Sequence, residues 1–344
     1  MQDNILVSVY FITYNHRDFI RKSLDGVVNQ KTNFKYEIVL YDDCSTDGTR
    51  EIIKEYTEKY PDLFNPILPG ENRAKKEGFY KINMEMYSKC RGKYIAYCEG
   101  DDFWTDENKL QTQVDFMESH PDFSGCFHKS ERKDESGNSI CFMPTEKQLK
   151  GKTAFDIYDT YRGYFIETVS VMYRFDKYRE EFMASYPDGM INNDSYYIYY
   201  YSIKGKIGYI DKLMSVKTIN TQGVWNSTEQ TLDEKHVRFA NEIVKFPSEV
   251  KKLFDKNNLK LIYETPENAM KRVLISALRI KRFDIFKTLS ENFPDVCENL
   301  LNGKDLKKEL KKKINKYKIL TFFFLTVSVI YTLIFVYFVL KYNF

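Results

Sequence analysis

At 344 residues and 43% hydrophobic content, the chain can bury one large core, or one core and a smaller appendage. A net charge of +3 provides no global field for binding nucleic acid. Six cysteines without a CxxC pair, or His and Cys neighbours at ligand spacing, argue against a zinc module and point to reduced thiols in a cytosolic setting.

Residues 5–11 (ILVSVYF) and 36–41 (YEIVLY) are short β-branched and aromatic runs, the pattern of buried strands. Between them, over 17–30, Phe19, Ile20, Leu24, Val27 and Val28 share one helical face. Asp47 is placed to cap a second helix, in which Ile52, Tyr56 and Tyr60 recur every fourth residue until Pro61 stops it. A third helix over roughly 78–90 leads to a strand at 94–98. This alternation of strand and helix predicts right-handed crossovers and a mostly parallel central sheet in an α/β fold. Thr105 then opens a helix with Leu110, Val114 and Met117 on one face. Farther on, the pattern predicts a hairpin around Glu135-Ser136-Gly137-Asn138, a strand over 168–174, a Tyr-rich helix over 193–203 and a short strand over 206–210. From about 230 to 300 the patterns are helical and polar, with no chemical motif.

The end of the chain has a different character. Residues 319–340 (ILTFFFLTVSVIYTLIFVYFVL) carry no charge, and at about 1.5 Å per residue they reach about 33 Å, enough to cross a hydrocarbon core. Residues 304–318 (KDLKKELKKKINKYK) precede them with eight lysines, a bias that places this side in the cytoplasm and attracts anionic membrane lipid. The expected organisation is a catalytic-type domain over 1–226, a helical region over 227–303, a basic juxtamembrane segment over 304–318 and a transmembrane helix over 319–340.

In an open α/β sheet, ligands sit beyond the carboxyl ends of the strands. Here those ends carry Thr13-Tyr14-Asn15, Asp42-Asp43 and Glu99-Gly100-Asp101-Asp102. Neighbouring acidic clusters repel unless a cation or hydrogen-bond donors stand between them. Hard oxygen ligands suit a divalent cation, Mg²⁺ or Mn²⁺, which in turn binds a diphosphate. Gly100 lets the backbone turn sharply beside the phosphates. Neither GxGxxG nor GxxxxGK[ST] occurs, which excludes the dinucleotide fingerprint and the P-loop. Taken singly, Asp42-Asp43 also reads as a turn. His16 and His128 are lone histidines and receive no role.

VSVYFITYNHRDFIRKSL, YEIVLYDDCSTDGT and GKYIAYCEGDDFW together closely resemble the family 2 glycosyltransferases, whose catalytic domain has the GT-A fold. The resemblance spans roughly residues 5–225. It implies an inverting transfer from a nucleotide-sugar donor, most commonly a UDP-sugar, to a glycan or lipid-linked acceptor, assisted by a divalent cation. Carried onto this chain, Tyr14 packs near the nucleobase, and Asp42 and Asp43 hydrogen-bond base and ribose. Glu99-Gly100-Asp101 takes the place of the family's DxD motif, with Asp101 as metal ligand supported by Asp102. Asp194, in Asn193-Asp194 before the Tyr-rich helix, matches the catalytic base, although a helix cap uses the same residue type. Trp104, Lys217 and Trp225 are expected around the donor or acceptor. The family's YRxHxxGxW-like stretch reads Lys217-Thr218-Ile219-Asn220-Thr221-Gln222-Gly223-Val224-Trp225, so Thr218 and Asn220 stand where cations are usual. That departure leaves an alternative open: a nucleotide-sugar-binding protein that has lost turnover.

Overall fold

The computed structural model describes residues 5–160, 165–186 and 193–219, and the structural statements below concern these residues. The first half is laid down as alternating strands and helices. Strand β1 (Ile5–Thr13) is followed by helix α1 (Arg17–Val28), β2 (Lys35–Asp42), α2 (Thr49–Lys59), β3 (Phe64–Ile67), α3 (Arg73–Glu77), α4 (Phe79–Lys89) and β4 (Tyr94–Glu99). Pairing β3-β2-β1-β4 is parallel throughout, as the sequence pattern predicts. Helices cover both faces of these strands: on one, Val7, Val9 and Phe11 of β1 and Ile38 and Leu40 of β2 pack with Ile20, Leu24 and Val27 of α1 and Ile53 of α2, and on the other Tyr10 meets Asn83 and Tyr87 of α4.

The second half departs from the expected parallel order. It comprises β5 (Phe103–Trp104), α5 (Lys109–Ser119), β6 (Phe123–Asp134), β7 (Ser139–Met143), α6 (Glu146–Leu149), β8 (Ala154–Phe155), α7 (Ile157–Thr160), β9 (Met172–Arg174), α8 (Arg179–Ser185), α9 (Asn193–Lys204) and β10 (Lys206–Ile219). The sheet continues as β4-β9-β6-β10-β5, with β7 added to β6 and β8 to β10. Only β6–β10 is parallel here; β9, β7, β8 and β5 join antiparallel, so the sheet is mixed. The hairpin at Gly137 links β6 to β7, as expected.

Three further elements differ from their predicted form. The helix expected from Thr105 begins at Lys109, because the Thr105 amide donates to Met214 O (3.0 Å) and the preceding pair Phe103–Trp104 is a strand edge on β10. The predicted strand over 168–174 opens as a 3₁₀ turn, Thr168–Ser170, and only Met172–Arg174 is extended. The short strand at 206–210 runs on to Ile219 through register shifts between Ile210 and Ser215, which its Asp211-Lys212 interruption conceals in sequence. Among the described residues no helix is long and apolar enough to cross a membrane; the 319–340 run, the juxtamembrane lysines, the 227–303 region, Asn220 and Trp225 lie outside them.

Candidate active site

Parallel register brings three polar strand ends level: Thr13 pairs with Asp42, and Ile12 with Glu99. The loops after β1 and β2 are tied to each other. Asn15, at φ 53°, receives the Ser45 hydroxyl as acceptor for its amide (2.8 Å) and accepts from the Thr46 amide (2.9 Å), while the Asp43 amide donates to Thr13 O (3.1 Å). Tyr14 rides on this platform, 44% exposed.

Asp42 and Asp43 are buried and well supplied with donors. Asp42 accepts from Arg50 Nε (2.6 Å), from the Ser45 amide (3.3 Å) and from the Ser45 hydroxyl. Asp43 accepts from the Tyr41 hydroxyl (2.9 Å) and from the Arg73 (2.8 Å) and Ala74 (3.1 Å) amides, which open α3. Asp43 is thus the anchor of a helix that the sequence pattern did not reveal.

The β4 end is built differently. Gly100 is required by space: a Cβ there would lie 2.2 Å from Thr13 Oγ1 and 2.8 Å from His16 Nδ1. Its amide donates to Ile12 O (2.9 Å) and its carbonyl accepts from Ser23 Oγ (2.9 Å), so the turn is pinned on both sides. Around it Glu99, Asp101 and Asp102 each offer an oxygen within 4.8 Å of the others. Asp102 is fully buried. Its Oδ1 accepts from the Thr218 amide (2.9 Å), while Oδ2 takes no well-directed hydrogen bond and faces only the Lys217 ammonium, 3.0 Å away. The same ammonium donates to Glu99 Oε2 (2.8 Å). His16 Nε2 stands 4.0 Å from Asp101 Oδ2, and its Nδ1 meets Thr13 Oγ1 at 3.1 Å.

Three carboxylates against one ammonium leave the cluster short of positive charge. Burial pushes the Asp102 carboxyl well above the ordinary range; Lys217 opposes this, and Asp101 and Glu99 add to it. Burial also lifts the Glu99 carboxyl, but the charge and hydrogen bond of Lys217 outweigh it and hold that group below its usual value. For Lys217 itself burial opposes the charge, yet Asp102, Glu99 and Asp101 keep the proton bound well above the usual lysine range. Convergent hard oxygens, one of them buried and under-coordinated, fit a divalent cation of the Mg²⁺ or Mn²⁺ type.

Of the remaining sequence candidates, Trp104 is not a pocket wall: it is 4% exposed, donates from Nε1 to Val169 O (3.2 Å) and packs in the core beneath the site. Thr218 contributes its backbone amide to Asp102. Asp194 is the second residue of α9. His16, Ser45 and Arg50 are site residues that the sequence reading left unassigned; their common signal is position, within eight residues of a parallel strand end.

An α/β sheet of this topology, with acidic strand ends and Gly100 between them, defines a GT-A-like domain. The chain belongs to glycosyl transferase family 2: the profile described as "Glycosyl transferase family 2" matches residues 8–179. An uncharacterized protein of Mycobacterium tuberculosis is 34% identical over 221 residues, 64% of this chain and 61% of that protein. The chain therefore spans about three fifths of the length of such relatives. TuaG of Bacillus subtilis, whose name assigns it to teichuronic acid biosynthesis, is 35% identical over 112 residues, 33% of this chain and 42% of TuaG. Among solved structures, residues 1–349 of S. aureus TarS in complex with UDP-GlcNAc superpose with a TM-score of 0.54 at 17% identity, covering 87% of this chain and 92% of that one. This last likeness is one of fold.

Proposed function

We propose that this chain is an inverting glycosyltransferase that moves a sugar from a nucleotide-sugar donor to an acceptor hydroxyl in the synthesis of a cell-surface polysaccharide or glycolipid. The observation that carries the reading is the Glu99–Asp101–Asp102 cluster at the end of β4, level with Asp42 and Asp43 at the end of β2, the two parallel strands that flank β1 in a family 2 chain. UDP is the favoured nucleotide, supported by the fold shared with a protein solved with UDP-GlcNAc. Exposed Tyr14 offers a ring to the nucleobase, beside the loops that Asp42 and Asp43 hold rigid. Asp101, with Asp102 and Glu99, would hold a divalent cation, Mn²⁺ or Mg²⁺, which when bound supplies Lewis-acid stabilisation of the leaving diphosphate. Asp194, the second residue of α9, takes the proton of the attacking hydroxyl.

The apolar run 319–340 and its preceding lysines support a single membrane anchor with the catalytic domain in the cytoplasm, so a lipid-linked acceptor is the natural partner. The test is calorimetric titration of UDP, GDP and dTDP into the full chain in detergent, with Mn²⁺ and then with EDTA. Binding of one nucleotide that needs the metal and is lost in Asp101→Asn supports the reading; no binding of any of them sinks it. One observation favours a second reading, a binder without turnover: Thr218 and Asn220 leave out two usual cations. Donor binding without sugar transfer or donor hydrolysis, across a panel of acceptors, would select it.

A further inference from the structure

The position in β10 that carries Lys217 is the first of the family's YRxHxxGxW-like stretch, where this chain has a lysine and then lacks both cations that normally follow. Its ammonium stands 2.8 Å from Glu99 Oε2 and 3.0 Å from Asp102 Oδ2, against two of the three carboxylates that fit a divalent ion. Among the described residues no lysine or arginine pairs with Asp101; His16 Nε2 stands 4.0 Å from its Oδ2.

The geometry points to Lys217 as a resident counter-ion that yields the carboxylates to a divalent cation and then pairs with the donor's diphosphate, restoring a cation that Thr218 and Asn220 do not provide. This rests on the reading of the site given above. Three features support it. The backbone is fixed independently of the ammonium, because the Thr218 amide donates to Asp102 Oδ1 and β10 is laddered to β6 at Lys217–Arg132, so the side chain can swing without the strand moving. The side chain is 23% exposed and the Glu99 side chain 30%, so the pair lies at the rim of the cluster rather than sealed inside it. A lysine is also suited to the exchange: it is a compact charge on a flexible stem and, unlike arginine, is not held by a planar two-point fork. Electrostatics gives the direction. A doubly charged ion at the same oxygens outcompetes a single ammonium, and the freed ammonium finds its next anion in a diphosphate bound to that ion.

The exchange predicts effects of opposite sign in one variant. In Lys217→Met, Mn²⁺ alone should bind at least ten-fold more tightly than to the parent, because its competitor is gone. UDP, GDP or dTDP, whichever binds the parent in saturating Mn²⁺, should bind the variant at least ten-fold more weakly. Unchanged or weaker Mn²⁺ binding in the variant overturns the inference. A measurement on the unaltered full chain guards against a variant that fails to fold: competitive acetylation of lysines, read by mass spectrometry. Labelling of Lys217 relative to Lys22 should rise several-fold when Mn²⁺ is added and fall again with the nucleotide. Labelling that ignores Mn²⁺ overturns the inference even where nucleotide binds, whereas labelling that rises with Mn²⁺ while no nucleotide binds leaves the exchange standing and removes the glycosyltransferase reading.

Discussion

Two pairs of adjacent carboxylates stand at the ends of parallel strands in this molecule, and they have opposite surroundings. Asp42 and Asp43, after β2, are met by a guanidinium, a hydroxyl pair and the amides opening α3. After β4, Asp102 shares one lysine with Glu99, Asp101 has His16 Nε2 at 4.0 Å, and one buried oxygen of Asp102 lacks a directed hydrogen bond. The chemistry of the side chain and its topological place are the same; the supply of donors differs. The first pair is finished by the protein and gives rigidity to the loops. The second is left short of positive charge, a condition that lowers stability and that a bound cation would relieve.

The largest effect should come from the unfinished pair. Asp101→Asn is expected to reduce sugar transfer by on the order of 10³-fold, about 4 kcal/mol of transition-state stabilisation, while leaving the melting temperature unchanged or raised. Steady-state kinetics with a thermal melt of the same preparation checks both. A variant that kept its turnover would erase the distinction between the pairs.

Breaking the finished pair should act on stability first. Asp42→Ala strands Arg50, whose side chain is 17% exposed, against a buried backbone turn. Loss of one partner of a mostly buried ion pair costs about 3 kcal/mol, readable as a lower urea midpoint with an unchanged slope. Recovery of stability in Asp42→Ala/Arg50→Met would show that the cost lies in the orphaned charge.

A third electrostatic regime lies directly below. Lys109 is fully buried, with Nζ 2.6 Å from Gln113 Oε1 and 4.0 Å from the centre of the Trp104 ring, and no carboxylate pairs with it among the described residues. Burial lowers its pKa to about 7, partly offset by the thiols of Cys98 and Cys126. Between pH 7 and the unfolded value the unfolded chain binds the extra proton, so stability rises with pH across that window. At about 1.4 kcal/mol per unit, the parent should gain roughly 2–3 kcal/mol relative to Lys109→Met between pH 7 and 9. Parallel pH profiles for the two proteins would refute this.

How much of this was legible in sequence follows from the same physics. The β1-to-β4 half was readable because apolar runs of strand length alternate with helical periodicity, and the acidic ends fall where such runs stop. Phe103–Trp104 was not, since two residues make no period and their pairing with Ser215 and Val216 is long-range. Trp104 illustrates the limit: an aromatic beside an acidic motif suggested a pocket wall, but its indole packs on a buried lysine. Lys217 was legible as a substituted position and not as a partner of Glu99 and Asp102, because a contact between residues so distant in sequence leaves no local signature.

The smallest effect separates anchoring from binding at Asp43. Asp43→Asn retains one oxygen that can accept from the Arg73 and Ala74 amides, but loses the charge at the start of α3 and the second acceptor, which now serves Ala74. The expected cost is about 0.5–1 kcal/mol. It should be local, appearing as faster amide exchange at Arg73 and Ala74 while Gly100, whose amide bonds Ile12 O, keeps its protection. If nucleotide affinity falls no further than this stability change accounts for, Asp43 acts by holding the loop. A loss of ten-fold or more with α3 still protected would mean that the carboxylate itself touches the nucleotide, and that the finished pair keeps a lone pair free for ligand after all.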